Sequence, residues 1–69
     1  MVRETTIPKA PATRILMEAG AKRVSAEAVD VFVDVLEARA LAISKKALDL
    51  AKHSGRKTIH EEDIKLAVK

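Results

Sequence analysis

The sequence predicts an all-α fold: a short helix, a long central helix and a second short helix. Three observations carry that expectation. Apolar residues recur at helical spacing in three stretches, the only two glycines fall at the ends of two of them, and period-two alternation is confined to two short loops. Pro11 suits the first turn of the first helix, Ala12, Ile15, Leu16 and Ala19 follow at helical spacing, and Gly20 stands where a left-handed cap closes it. Ser25 is a good N-cap with Glu27 in the following turn. No Gly or Pro interrupts the pattern until Gly55, so the second helix runs about 29 residues, roughly 43 Å. The third begins near Thr58 or His60, with Glu61, Glu62 and Asp63 at its positive end and Ile64, Ala67 and Val68 as its apolar stripe. Thr58 and Glu61 have the spacing of a capping box. Residues 22–25 and 56–59 read as two strand-like loops, residues 1–69 as one domain, and residues 1–6 as a short mobile tail.

The long helix dictates a partner. Val31, Phe32, Val35, Leu36, Ala40, Ala42, Ile43, Ala47, Leu50 and Ala51 wrap well over half its circumference, while Glu27, Asp30, Asp34, Lys45 and Lys52 mark a polar stripe. Two flanking helices of about three turns each are too short to cover that surface. The chain has 69 residues and no cysteine, so no disulfide or thiolate metal site supplies the stability that small scaffolds need. A second copy is the remaining source. Crossed long helices, with short helices folded over each end, give an intertwined dimer in which each strand-like loop pairs with the other loop of its partner. Phe32, Val35, Leu36 and Ile43 belong to its core.

The charge distribution fits a polyanion partner, or basic loops that serve solubility. The net charge is +3, with +3 over residues 1–25, −1 over 26–54 and +1 over 55–69. Positive charge therefore collects outside the middle segment, at Lys22-Arg23 and Arg56-Lys57. The single aromatic, Phe32, excludes base stacking as a mechanism. No nucleophile–base pair, Gly-rich loop or metal-ligand set is present, so no enzymatic activity, cofactor or metal is expected. His60-Glu61-Glu62-Asp63 is read as the acidic start of a helix, because neighbouring residues on a helix face different ways. With no long apolar run and no signal-peptide core near the start, the expected location is the cytoplasm, with no membrane contact.

Two motifs carry a resemblance: Ile15-Leu16-Met17-Glu18-Ala19-Gly20-Ala21-Lys22-Arg23-Val24-Ser25, and the run from Ala51 to Val68 containing Gly55-Arg56-Lys57-Thr58-Ile59 and Asp63-Ile64. In these residues the chain resembles the histone-fold family, above all the minimal, tail-less archaeal histones. The resemblance implies a handshake dimer that binds double-stranded DNA without sequence preference and bends, wraps and compacts it as a chromosome-associated, nucleosome-like protein. It implies DNA contacts from Lys9, Arg14, Lys22, Arg23, Ser25, Lys57 and Thr58, with Arg14 reaching the minor groove. It implies an Arg56–Asp63 pair holding the second loop. It further implies a dimer–dimer junction from Leu50, His53, Asp63 and Leu66, giving tetramers or longer arrays on DNA, with a paralogous histone as an alternative partner to a second copy.

The competing reading is a heterodimerisation module of a transcription complex; retention of Arg14, Arg23 and Lys57-Thr58 together argues against it. Two departures from the resemblance stand out. The third helix stops at Lys69, without the further basic and aromatic residues of many relatives. Val29, Val33 and Leu41 occupy long-helix positions that are often polar, and Leu41 within the polar stripe hints at an extra contact.

Overall fold

A computed structural model describes residues 5–69, and among these the chain forms three helices: α1 (Lys9–Glu18), α2 (Ala26–His53) and α3 (Glu61–Ala67). It divides into two compact units, one ending at Ala38 and the other beginning at Arg39. Among the described residues there is no strand: the loops over 22–25 and 56–59 are bends and irregular chain. A strand needs a second segment to complete its ladder, and no segment of the described chain supplies one to either loop.

Both glycines close helices as their positions predict. After α1, Gly20 takes φ +116°, its N–H donates to the Met17 carbonyl at 3.0 Å, and Ala21 N–H donates to the Leu16 carbonyl at 3.4 Å. After α2, Gly55 takes φ +73°, with Gly55 N–H to the Lys52 carbonyl and Arg56 N–H to the Ala51 carbonyl, both at 2.9 Å. Each pair is a Schellman closure, in which a residue without a Cβ turns the chain left-handed and satisfies the last carbonyls.

The helix starts are more varied. Ser25 caps α2: its hydroxyl accepts the Ala28 N–H at 3.1 Å. α1 begins at Lys9, two residues before Pro11, with Pro8 as an extended N-cap (φ −66°, ψ 147°). Pro11 then sits third in the helix, still inside the first turn, where a missing N–H costs nothing. The Thr58–Glu61 capping box does not form. α3 starts at Glu61 with His60 as its N-cap, and the His60 N–H donates to Asp63 Oδ2 at 2.8 Å. Asp63 lies three residues after the cap, the spacing its carboxylate needs to reach back, whereas a start at Thr58 leaves Asp63 out of reach.

Of the stretch expected as a mobile tail, residues 1–4 lie outside the described residues. Thr5 Oγ1 donates to the Ile7 carbonyl at 3.0 Å, and the Ile7 N–H donates to Glu37 Oε2 at 2.7 Å. The chain entering α1 is thus fastened to α2.

In the first unit Ala12, Val29 and Val33 are buried, with Ile7, Leu16, Val24, Phe32 and Leu36 packed against them. Val29 and Val33 fill the line that faces α1, so their apolar character serves packing within the chain. In the second unit Ala47, Ala51 and Ala67 are buried beside Asp63. Large apolar side chains stay outside these cores: Val31 is 63% exposed and Val35 60%, while Ile15, Met17, Leu41, Leu48, Ile59, Ile64, Leu66 and Val68 are also exposed.

Candidate nucleic-acid interface

The candidate cations sit on one helix and two loops. Residues two apart on a helix are rotated by about 200° and so face nearly opposite ways. Arg14, two residues after buried Ala12, therefore points away from the core of the first unit, and it is exposed. Lys22 and Arg23 lie in the loop after the Gly20 closure, and Lys57 in the loop after the Gly55 closure; all three are exposed. Among the described residues none of these four forms an ion pair. The two loops belong to different units, so each is a separate cationic element within one chain.

Three of the remaining candidates are occupied. Lys9 Nζ lies 2.6 Å from Asp30 Oδ1. The Ser25 hydroxyl caps α2, and the Thr58 carbonyl accepts Arg56 Nη1 at 2.9 Å. The Thr58 side chain is exposed at the loop surface.

The second loop is shaped by an arginine fork. Arg56 Nη1 and Nη2 donate to Asp63 Oδ2 and Oδ1, each at 3.0 Å. Asp63 is the one buried charged side chain among the described residues, 4% exposed. The guanidinium's hydrogen bonds hold the Asp63 carboxyl below the usual carboxylate range, and the His60 N–H adds to this against the opposing effect of burial. The same pair raises the Arg56 guanidinium further above its already high value. Because Arg56 also grips the Thr58 carbonyl, one side chain fastens the loop backbone to the start of α3 while Lys57 between them stays free to point outward.

The residues expected at a dimer–dimer junction are distributed over α2 and α3 of the second unit. Leu50 is half-buried, Leu66 is half-exposed, and exposed His53 lies with Nδ1 3.3 Å from the Asp49 carbonyl. Asp63 already accepts three donors from its own chain, which leaves about one further lone-pair site. Of the expected dimer core, Phe32, Leu36 and Ile43 are half-buried and Val35 is exposed.

Sequence reasoning missed Asp30 and Glu37 as anchors of the segment entering α1. It read Asp30 as solvated polar stripe and gave Glu37 no role. Their spacing of seven residues, two turns along one face, was the available signal.

Comparison with known proteins adds an independent line. Residues 5–68 match the family model described as histone-like transcription factor (CBF/NF-Y) and archaeal histone. Over 63 residues the chain is 51% identical to a probable archaeal histone 3 of Methanocaldococcus jannaschii and 46% identical to a subunit of the archaeal histone HAN1 of Thermococcus zilligii. Each alignment covers 91% of this chain and 94% of the relative.

Proposed function

Because the chain belongs to the histone-like transcription factor (CBF/NF-Y) and archaeal histone family, a family of DNA-binding chromatin proteins and not of enzymes, we propose that it compacts double-stranded DNA by wrapping or bending it without reading base sequence. The observation that carries this reading is the exposed set Arg14, Lys22, Arg23 and Lys57, which takes no ion pair among the described residues and stands ready for phosphate. The chain also holds no Asn, Gln, Trp or Tyr. It thus lacks the amides that read adenine edges and the larger aromatics on which bases stack. Phosphate contacts position such a protein, and DNA deformability does the rest.

The working unit in this reading is a dimer of two copies, or of one copy with a paralogue. Exposed Val31 and Val35 with half-buried Phe32 and Leu36 in the first unit, and half-buried Ile43 in the second, are α2 side chains that a crossing α2 covers. Dimer formation sets Lys22-Arg23 of one chain beside Lys57-Thr58 of the other, each loop supplying the other's missing ladder partner. Ser25 and the amides of the α2 start add donors for phosphate oxygen, and Arg14 enters the minor groove where it faces the protein. Arg56–Asp63 is structural, holding the second loop in position. Dimers join end to end through Leu50, His53 and Leu66, with the remaining lone pair of Asp63 facing an imidazole, and the arrays sit on the chromosome in the cytoplasm. Among the described residues, no helix is long and apolar enough to cross a membrane.

Nuclease digestion of DNA carrying increasing amounts of protein tests the reading. Protected lengths that grow in regular steps on unrelated sequences support it. DNA cleaved as fast with the protein as without it refutes it.

A further inference from the structure

We propose that Asp30 sets the strength of DNA binding by holding Lys9 away from phosphate. This rests on the DNA-binding reading above. The Lys9 ammonium and the Asp30 carboxylate meet at 2.6 Å, with side chains 55% and 54% exposed, so the pair lies where a polyanion can compete for it. Of the five cations assigned to DNA, Lys9 alone is paired among the described residues.

The pairing follows from how α1 is mounted. Glu37 takes the Ile7 N–H at 2.7 Å, and Asp30 takes Lys9 two turns earlier on the same face of α2. The two acids grip the chain on either side of Pro8 and fix where α1 begins. Lys9 precedes buried Ala12 by three residues and so lies on the flank of α1 that turns toward α2, whereas Arg14 lies on the opposite face. The positive end of α1 has no acidic side chain in its first turn and no side-chain cap. A cation there is disfavoured by the helix dipole, and the carboxylate from α2 offsets it. In the unaltered protein the balance between carboxylate and phosphate rests with Asp30, but an exposed ion pair is held only weakly. Neutralising Asp30 tips that balance to DNA.

The test is a double-mutant cycle read as the salt dependence of duplex affinity. Asp30→Asn should bind more tightly and steepen the slope of log affinity against log salt by about 0.9 for each Lys9 released. Lys9→Ala alone should leave the slope unchanged, and Asp30→Asn in the Lys9→Ala background should neither tighten nor steepen binding. Asp30→Ser should repeat the Asp30→Asn result, and melting curves confirm that each variant is folded. Three results overturn the proposal: Lys9→Ala flattening the slope of otherwise unaltered protein, Asp30→Asn tightening binding equally in both backgrounds, or no effect of Asp30→Asn. Unaltered protein that fails to bind DNA removes the functional reading and the proposal with it; binding with any of the three results removes the proposal alone.

Discussion

Arg56 and Asp63 are joined by two parallel hydrogen bonds of 3.0 Å, and the carboxylate they share is almost fully buried. They lie seven positions apart in sequence, Arg56 in the α2–α3 loop and Asp63 in the first turn of α3. The pair therefore determines how Lys57 is displayed.

A pH dependence follows from the depressed Asp63 pKa. A carboxyl with a lower pKa folded than unfolded stabilises the fold in full above its unfolded value, about 3.9, and loses that contribution as pH falls through the folded value. Melting temperatures of the unaltered protein and Asp63→Asn should differ at pH 7 and draw together as pH falls from about 3.9 through the lowered folded value. A constant difference across that range contradicts the assignment. Arg56→Lys keeps the charge but loses the fork, and should melt lower than the unaltered protein.

The two closing glycines should respond differently to asparagine. A Cβ at either position meets nothing within 4 Å, so the cost of a side chain is conformational. Gly55 at φ +73° lies near the left-handed basin that Asn tolerates, and Gly20 at φ +116° lies well outside it. Gly55→Asn should cost under about 1 kcal/mol, and Gly20→Asn about 1–2 kcal/mol, in chemical denaturation. Equal losses would show that the two closures are not distinct.

The dimer predicts that melting temperature rises with protein concentration. Phe32 is only half-buried within its own chain. Phe32→Ala should nonetheless cost about 3–5 kcal/mol, as for a fully buried aromatic, because a partner completes its burial. A concentration-independent melt at monomer mass contradicts the dimer.

His53→Ala and Leu66→Ala leave the Arg56–Asp63 pair intact and should shorten the protected DNA while dimers remain folded. Unchanged protected lengths refute the end-to-end junction.

Much of this architecture was legible because local rules and tertiary demands agree. Gly20, Ser25 and Gly55 do in the fold what their types favour in isolation, and α2 ends where its pattern stops. Misses came where a distant residue decides. Pro11 falls in the first turn of α1, as its type favours, but that the helix begins at Lys9 depends on Asp30 and Glu37, which dock the preceding chain. The pattern allows α3 to begin at Thr58 or His60, and Asp63, whose carboxylate takes the His60 N–H, decides for His60. Val29 and Val33, at positions often polar in the family the chain resembles, are explained by the cluster they form with Ala12 of α1. Of the candidate interface, residue type and loop position were readable; that Lys9 is paired and Arg14 is not, among the described residues, depends on which face of α1 meets α2.

The most direct test of phosphate-based, sequence-indifferent binding is the affinity for several unrelated duplexes, measured as salt is raised, for the unaltered protein and for Arg23→Ala and Lys57→Ala. The account predicts near-equal affinities that fall steeply and in parallel with salt, and a slope that flattens by about one for each contact removed, alike on every sequence. Affinity that resists salt, or variants whose losses depend on the sequence bound, contradicts it.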